Sequence, residues 1–343
     1  MFLYNAWYVA ALDAEITHSL FATKLLSQKV VLYRKANGNV VALEDSCPHR
    51  RLPLSMGRIV NDQVECGYHG LTFDCSGSCT VAPGMKQPPK GAVVKSYPCI
   101  SRYGFIWIWM GEPSKADESL IPEVDNWGNP DWGMNSGDAM LLDCNYLYVT
   151  DNLLDPSHVS WVHQTSFGNS DLIGKPLKVD VSEKGVIVSR WAHDIEVAPF
   201  YQQFVRFKGN CDRKQHYEVR FPGHAIIKAV FTPAGTATDT GSYHKDVFLM
   251  DSYNFITPVD EDKTRYFWFQ MRNFSPNDKS VSKQFSDDVR KAFYEDREVL
   301  NAVHAGLKER PAAFNLPLDG GPLQFRRHMQ KLIDAENQNY KKE

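Results

Sequence analysis

Two short segments of the chain each place one cysteine close to one histidine. One residue separates Cys47 from His49, two separate Cys66 from His69, and sixteen lie between the two pairs. Two thiolates and two imidazoles can hold a [2Fe–2S] cluster in which one iron takes both sulfurs and the other takes both rings. Structural zinc also accepts this ligand set, but zinc fingers usually group cysteine with cysteine and histidine with histidine. The mixed pairs therefore favour the iron–sulfur cluster.

A second group of residues capable of chemistry lies in the middle of the chain. The segment 151–158 (DNLLDPSH) is followed by His163. Positions i and i+5 lie about 140° apart on a straight helix, so His158 and His163 can share a metal only where the helix ends or distorts. Pro156 fits the first turn of a helix with Asp155 as its N-cap, which places His158 just after a break.

Two imidazoles leave a metal site that needs an anionic ligand. Two histidines and one carboxylate bind Fe(II) on one face and leave positions open for O2. We expect the carboxylate to come from a distant helix and choose Asp296, with the adjacent Glu295 as the local alternative. The competing interpretation is that this charged run is a solvated helix face.

The composition limits the class of protein. A chain of 343 residues with 43% hydrophobic side chains is expected to form two domains with sizeable cores. The net charge of −3 argues against nucleic acid or an anionic membrane as the main partner. We find no signal peptide and no apolar run near the roughly 18 residues of a membrane span, so we expect a cytoplasmic protein. Cys75 and Cys79 are expected to be free thiols.

Strand-like segments separated by Gly and Pro fill residues 1–110 and recur in the second half of the chain. An Asn37-Gly38 hairpin turn joins the first two predicted strands, and the cysteine and histidine pairs fall on turns between strands. The strands are predicted at 29–34, 39–43, 104–109, 185–190, 225–231, 246–250 and 266–270.

Loop signals fill residues 111–140, where we place the domain boundary. A helical pattern follows at about 141–165, and residues 281–308 have the apolar spacing of a long amphipathic helix. The second half is therefore expected to be an α+β domain in which the long helix packs on an antiparallel sheet.

These motifs resemble the oxygenase components of Rieske non-heme iron oxygenases. The family order is matched by the Cys/His pairs, by the 152–158 segment with His163, and by the late Glu-Asp pair. Segments 5–10 (NAWYVA) and 66–71 (CGYHGL) look especially like vanillate O-demethylase and dicamba monooxygenase oxygenases. Further similar segments are 266–269 (YFWF), 272–274 (RNF), 319–321 (DGG) and 326–327 (RR). The resemblance thus covers nearly the whole chain.

The resemblance implies an α+β protein with an N-terminal all-β Rieske domain at 1–125 and a helix-grip catalytic domain at 126–343. It implies a head-to-tail homotrimer in which the cluster of one subunit feeds the iron of its neighbour. Asp155 matches a carboxylate that bridges a cluster histidine and an iron histidine, with His69 favoured over His49 as its partner. Asn152 matches a polar residue near the iron. The implied ligands are Cys47, His49, Cys66 and His69 for the cluster, and His158, His163 and Asp296 for the mononuclear Fe(II).

The implied activity is that of a terminal monooxygenase component that uses O2 to hydroxylate a methyl group of a small acidic aromatic substrate. The expected reaction is O-demethylation of a methoxybenzoate with release of formaldehyde. The alternative is methyl or ring oxidation of another aromatic acid, such as a toluenesulfonate. Since no G-x-G-x-x-G follows a strand, NAD(P)H is expected to act only through a separate reductase of the ferredoxin or flavin type.

Two polar residues of the second half are candidates for contact with the substrate. Lys228 interrupts an apolar strand and could hold an acidic group, or it could be a strand residue that faces water. Asn254 lies near the place where related enzymes have a polar residue for a carboxylate. Rival readings from other classes are a Rieske electron carrier, which the second motif argues against, and a zinc-stabilised binding protein.

Overall fold

Short strands dominate the first third of the chain, and longer strands and helices make up the rest. The computed structural model describes residues 1–135 and 138–340, which divide into two units. The first consists mainly of Met1–Ile121, and the second of Pro122–Ile256 with Asp262–Gln338. The boundary predicted after residue 125 lies four residues beyond Ile121. Among the described residues, no helix is long and apolar enough to cross a membrane.

Eleven strands form three antiparallel sheets in the first unit, which confirms the predicted all-β fold class. They are β1 (Trp7–Leu12), β2 (Phe21–Leu25), β3 (Gln28–Arg34), β4 (Val40–Glu44), β5 (Arg58–Val60), β6 (Gln63–Glu65), β7 (Thr72–Phe73), β8 (Cys79–Val81), β9 (Ser96–Tyr97), β10 (Cys99–Arg102) and β11 (Phe105–Trp109). The sheet orders are β1-β11-β10, β2-β3-β4-β9 and β5-β6-β7-β8.

The hairpin between β3 and β4 forms where the sequence predicts it. Gly38 takes a φ of +90°, which glycine adopts without strain, and the amide of Lys35 donates to the carbonyl of Asn39 at 2.8 Å. The predicted strands 29–34 and 39–43 match β3 and β4 to within one residue. Cys75 and Cys79 are free thiols, as predicted.

An eight-stranded antiparallel sheet forms the centre of the second unit. Its strands are β12 (Gly133–Asn135), β13 (Ala139–Leu142), β14 (Lys178–Val181), β15 (Gly185–Ile195), β16 (Cys211–Arg220), β17 (His224–Pro233), β18 (Phe248–Pro258) and β19 (Thr264–Arg272). The order is β12-β19-β18-β17-β16-β15-β14, and β13 also pairs with β19. Alternate residues of β16, β17 and β18 therefore share one face, which includes Arg213, Ile227 and Ser252.

One long helix packs against this sheet, as the helix-grip expectation requires. The helices are α1 (Tyr146–Asn152), α2 (Val159–Val162), α3 (Pro199–Gln202), α4 (Lys279–Glu309) and α5 (Gly320–Tyr340). On α4, Phe293 lies 5.1 Å from the rings of both Tyr266 and Trp268 of β19. The buried stripe of α4 comprises Phe285, Val289, Ala292, Asp296, Leu300 and His304. Asp296 thus occupies a position at which the helical spacing predicts an apolar residue.

The sequence prediction was wrong in several places. Residues 133–135 and 139–142 form β12 and β13, because both segments add to the edge of β19 rather than continuing the predicted loop and helix. The helical pattern at 141–165 breaks into two short helices. The strand predicted at 246–250 begins at Phe248 and extends to Pro258. The sequence prediction missed β14, β16 and α5.

Candidate metal centres

Two loops with the same hydrogen-bond pattern carry the cysteine and histidine pairs of the first unit. In each loop the cysteine amide donates to the carbonyl five residues ahead, and the cysteine carbonyl accepts from the amide four residues ahead. The bonds are Cys47 N to Leu52 O at 2.9 Å, Arg51 N to Cys47 O at 2.8 Å, Cys66 N to Leu71 O at 2.8 Å and Gly70 N to Cys66 O at 3.0 Å. Arg51 and Gly70, at equivalent positions, both have positive φ, of 60° and 72°. The second loop spans β6 to β7, and the first follows β4.

The two loops direct their cysteines and histidines to different environments. Cys47 and Cys66 are 2% and 3% exposed and belong to the hydrophobic core of the unit. His49 and His69 are exposed, with ring centroids 4.7 Å apart. A cluster held here would have its sulfur-bound iron in the core and its imidazole-bound iron at the surface, where electrons can be exchanged. The donor set and its arrangement therefore fit a Rieske cluster.

Backbone amides approach the sulfur of Cys47. Burial raises the pKa of this thiol, the N–H groups of His49 and Arg50 act in the opposite direction, and the nearby sulfur of Cys66 raises it further. Hydrogen bonds from amides to sulfur are one of the means by which a protein sets the potential of an iron–sulfur cluster.

The second group of predicted ligands comes together at the end of a short helix in the second unit. His158 directly precedes the four-residue α2, and His163 directly follows it with a φ of −110°. Because the helix ends at His163, the two side chains are not held about 140° apart, as they would be on a straight helix. The predicted N-cap at Asp155 was wrong, because the helix begins only at Val159. The Asp155 carboxylate instead accepts from the amide of Ser157 at 2.7 Å and closes a tight turn.

Asp296 meets both histidines from the facing helix α4. Its Oδ1 lies 3.2 Å from Nε2 of His163 and 3.5 Å from Nε2 of His158, and one donor atom from each residue lies within 4.8 Å of the others. Neighbouring ligand atoms stand about 3 Å apart when each lies about 2.1 Å from one ion. Two imidazoles and one buried carboxylate in this arrangement fit the facial triad of non-heme Fe(II).

Both imidazoles are held at their other nitrogen, so that Nε2 points inward. His163 Nδ1 lies 2.8 Å from a carboxylate oxygen of Glu295, and His158 Nδ1 lies 2.5 Å from the carbonyl of Asp155. Asn152 donates to Oδ1 of Asp296 at 3.1 Å. Glu295, considered above as an alternative ligand, thus orients a histidine instead, which is a role that metal sites commonly give to a second carboxylate.

The local electrostatics keep the carboxylate charged. Burial alone would raise the pKa of Asp296, but His163, His158 and the Asn152 amide outweigh it and hold this pKa below its ordinary value. Burial acts to lower the pKa of His163, whereas the hydrogen bonds and charges of Asp296 and Glu295 leave it raised. The site therefore favours positive charge between these groups, as a cation site should.

A cavity of about 70 Å³ opens on the triad, with room for about five water molecules at roughly 10–15 Å³ each. Its walls are mainly aromatic and aliphatic, including Phe167, Tyr201, Tyr217, Ile227, Met250, Val289 and Phe293. Its polar residues away from the triad are Arg213, Ser252, Asn254 and Gln270. The lining suits an aromatic ligand.

The two residues suggested for substrate contact have different positions. Asn254 is fully buried and lines the cavity. Lys228 lies on the opposite face of β17 from Ile227, where its Nζ contacts carboxylate oxygens of Asp125 at 2.6 Å and Asp251 at 3.8 Å. Lys228 therefore does not reach the cavity, because a strand sends adjacent side chains to opposite faces.

Sequence reasoning missed Arg213. Its strand, β16, reads CDRKQHYEVR and lacks the apolar alternation that marks a half-buried strand. The available signal was the period-two series Arg213, Gln215, Tyr217 and Val219, which faces inward. The series is recognised as inward-facing only if its first residue, Arg213, is accepted as buried.

Two family descriptions match the chain. Residues 6–98 match the Rieske [2Fe-2S] domain, and residues 142–335 match the vanillate O-demethylase oxygenase C-terminal domain. The iron-sulfur subunit of a toluene-4-sulfonate monooxygenase system from Comamonas testosteroni is 35% identical, over 98% of this chain and 99% of its own. The vanillate O-demethylase oxygenase subunit of Pseudomonas sp. (strain HR199 / DSM 7063) is 32% identical, over 98% and 97%.

The crystal structure of dicamba monooxygenase bound to 3,6-dichlorosalicylic acid has the same fold, with a TM-score of 0.90 and 28% identity over 98% of this chain and 99% of that one. The oxygenase component of dicamba O-demethylase from Stenotrophomonas maltophilia is 41% identical, over 88% of this chain and 88% of its own. The cofactors are a Rieske [2Fe–2S] cluster and a mononuclear non-heme iron. The predicted resemblance is confirmed over nearly the full length. The chain belongs to the Rieske non-heme iron oxygenases, as a monooxygenase component of the vanillate O-demethylase type.

Proposed function

We propose that this oxygenase hydroxylates a methyl group of a small aromatic substrate, and that its reaction is O-demethylation of a methoxybenzoate. The observation that carries the proposal is the His158, His163 and Asp296 triad at the wall of a small cavity with aromatic and aliphatic lining. Names of the relatives support the substrate class, since vanillate, dicamba and toluene-4-sulfonate are all aromatic acids with a methyl or methoxy group.

The proposed iron ligands are His158, His163 and Asp296, and bound Fe(II) would supply the activation of O2. Glu295 and the Asp155 carbonyl hold the imidazole Nδ1 atoms and so keep Nε2 directed inward. The apolar walls hold the ring of the substrate and exclude water from its methyl group. Hydroxylation of an aryl methyl ether gives a hemiacetal that loses formaldehyde and leaves a phenol, while the second oxygen atom of O2 leaves as water with two electrons and two protons.

The proposed cluster ligands are Cys47, Cys66, His49 and His69. The electrons would come from NAD(P)H through a separate reductase of the ferredoxin or flavin type, in the cytoplasm. Two exposed imidazoles beside an open depression lined by Pro48, Leu71, Ala82, Pro83 and Met85 support a cluster that exchanges electrons at this surface.

We further propose a head-to-tail homotrimer in which Asp155 bridges the two metal centres of adjacent subunits. What supports this role is the half-buried position of Asp155, three residues before the proposed ligand His158. In this arrangement His69 of one subunit would face Asp155 of the next, and the carboxylate would couple the charge states of two metal-bound imidazoles.

The alternative reaction is hydroxylation of the methyl group of a toluenesulfonate, which is favoured by the 35% identity to a toluene-4-sulfonate monooxygenase subunit. Incubation with a reductase, NADH and O2 separates the two reactions. Vanillate should yield formaldehyde and a phenol in proportion to the NADH used, whereas toluene-4-sulfonate would yield a benzylic alcohol and no formaldehyde. NADH use without any product from either compound would refute both.

The Asp296→Ala variant serves as the matched control. It should bind about two irons per chain where the parent binds about three, and it should keep the visible spectrum of the cluster while losing turnover. A variant with three irons and normal turnover would exclude Asp296 as a ligand.

A further inference from the structure

Arg213 places a buried guanidinium in the wall of the cavity. The side chain is 2% exposed, and its Nη1 donates to the carbonyl of Phe167 at 3.1 Å. Among the described residues, its Nε has no hydrogen-bond partner and no carboxylate lies within 4.0 Å of its nitrogens. The rings of Tyr201 and Phe231 lie 5.5 and 4.9 Å from the guanidinium carbon. The charge is therefore surrounded by aromatic rings and lacks a counterion within the described chain.

A second buried arginine increases the local positive charge. Arg190 on β15 is 7% exposed, and its pKa is lowered by burial and by the charge of Arg213. Its guanidinium, however, has protein acceptors, since it donates to Oε1 of Gln215 at 2.7 Å and to the carbonyl of Leu172 at 2.8 Å. Arg213 differs because it lines the cavity and its Nε has no hydrogen-bond partner among the described residues.

The other polar residues of the cavity wall bond to one another. Gln270 Nε2 donates to Ser252 Oγ at 3.0 Å, and Ser252 Oγ donates to Asn254 Oδ1 at 3.2 Å. The Asn254 amide donates to the carbonyls of Ser252 at 3.0 Å and Ala225 at 3.5 Å. These side chains already have their partners, so Asn254 has no unused donor for a carboxylate.

A buried cation is costly unless an anion compensates it, and an unused buried donor adds to that cost. The planar guanidinium is the side chain best suited to two parallel hydrogen bonds with a carboxylate or a similar oxyanion. An acidic group on a ligand of this cavity would supply Arg213 with both a compensating anion and a hydrogen-bond acceptor.

We propose that Arg213 is the residue that binds the acidic group of the substrate, a carboxylate or sulfonate on the aromatic ring. The proposal rests on the aromatic substrate class proposed above. It places the anionic group of the substrate beside Arg213 on β16. Arg213 would fix the orientation in which the ring lies between the aromatic walls. The enzyme would accordingly select aromatic acids over neutral isosteres of the same shape.

Binding to the anaerobic ferrous holoenzyme, measured by calorimetry, tests this assignment without turnover. The probes are vanillate, toluene-4-sulfonate and the neutral amide vanillamide. We expect Arg213→Gln to weaken both acids by about 10–100-fold, as the loss of a hydrogen bond to a charged group predicts, and to leave vanillamide within about threefold. Arg213→Lys should retain part of the affinity, because it keeps the charge but loses the paired geometry.

Lys214→Gln and Lys228→Gln are the matched controls. Lys214 is next to Arg213 but pairs with Asp239 at 2.6 Å on the other face, and Lys228 pairs with Asp125. Both variants should bind the acids as the parent does. Iron content and thermal unfolding of Arg213→Gln show whether loss of the Phe167 contact disturbs the site.

Unchanged acid binding in Arg213→Gln would overturn the proposal, as would equal loss of acid and amide together with loss of iron. A parent enzyme that does not prefer the acid over the amide would also overturn it. Acid binding that depends on Arg213 in an enzyme that oxidises neither acid would refute only the reaction proposed above. Oxidation that is independent of Arg213 would refute only this assignment.

Discussion

His163 is held on both sides of its imidazole ring. Nε2 faces Asp296 at 3.2 Å, and Nδ1 faces Glu295 at 2.8 Å. Because the two carboxylates are consecutive on α4, neighbouring helix positions serve the two nitrogens of one ring. The carboxylate on Nδ1 fixes the tautomer and raises the basicity of Nε2.

Glu295→Gln should therefore weaken iron binding. An amide can still accept a hydrogen bond, but it removes the negative charge that stabilises the ring, so we expect iron affinity to fall about 10–100-fold. Iron remaining after dialysis against a chelator provides the measurement, with the visible spectrum of the cluster as an internal reference. Glu298→Gln is the control, since Glu298 is an exposed α4 residue that contacts Arg297. If Glu295→Gln and Glu298→Gln retained iron equally, Glu295 would have no role in iron binding.

At the scale of single residues, the sequence predicted the sites whose ligands are uncommon residue types that lie close together in the chain. Cysteine and histidine in short pairs predict the cluster loops, and the histidines around α2 predict the iron site. Either of the adjacent carboxylates Glu295 and Asp296 can serve as a ligand, and the choice of Asp296 agrees with the helical spacing, which places position 296 on the buried stripe of α4. Arg213 could not be predicted because a charged residue in a polar strand is normally exposed.

At the scale of elements, the end of α2 depends on a close approach of the chain at Gly168. The amide of Gly168 donates to the carbonyl of His163 at 2.8 Å. A Cβ at this position would lie 2.7 Å from the carbonyl oxygens of both His163 and Val159. The loop that ends α2 therefore needs a residue without a side chain, and this loop follows directly from a proposed iron ligand.

Gly168→Ala should displace this loop and lower both stability and iron content. Overpacking of this kind costs about 1–3 kcal/mol, which thermal unfolding can detect. Gly306→Ala is the matched control, because Gly306 lies in α4 and a Cβ there meets no atom within 4 Å. Replacing a helical glycine should stabilise the protein by about 0.5–1 kcal/mol and leave iron content unchanged. A normal iron content in Gly168→Ala would show that iron binding does not depend on this loop.

The elements that were predicted are those with a clear periodic signal. The long α4 and the apolar strands β3, β4, β17 and β19 have hydrophobic faces that identify them. β12 and β13 are short and gain their structure by pairing with β19, so their own sequences contain little information about it. Tertiary pairing of this kind overrides local preference.

At the scale of the whole molecule, the two units serve two steps of one reaction. The first contains the proposed ligands of the cluster, and the second contains the His158, His163 and Asp296 triad with the cavity proposed for the substrate. The proposed trimer makes each active site depend on two chains, because the cluster of one subunit serves the iron of the next. Subunits that lack different metals should then complement each other.

Coexpression of two inactive variants tests this dependence. Cys66→Ser should remove the cluster and Asp296→Ala the iron, so each is expected to be inactive alone. In randomly mixed head-to-tail rings about a quarter of the interfaces combine an intact cluster with an intact neighbouring iron site. Vanillate turnover should therefore recover to about a quarter of the parent rate.

Asp155→Asn tests whether electrons pass between subunits through Asp155 in such mixed rings. Added to the Cys66→Ser chain, which has the working iron site, it should abolish the recovered turnover, because the bridging carboxylate belongs to the subunit that receives the electrons. Added to the Asp296→Ala chain, it should leave the recovery intact, and both metals should remain bound in either case. No recovery in mixed rings that contain the expected metals would show that each cluster serves its own chain. Equal loss from both placements would assign Asp155 a structural role rather than a bridging one.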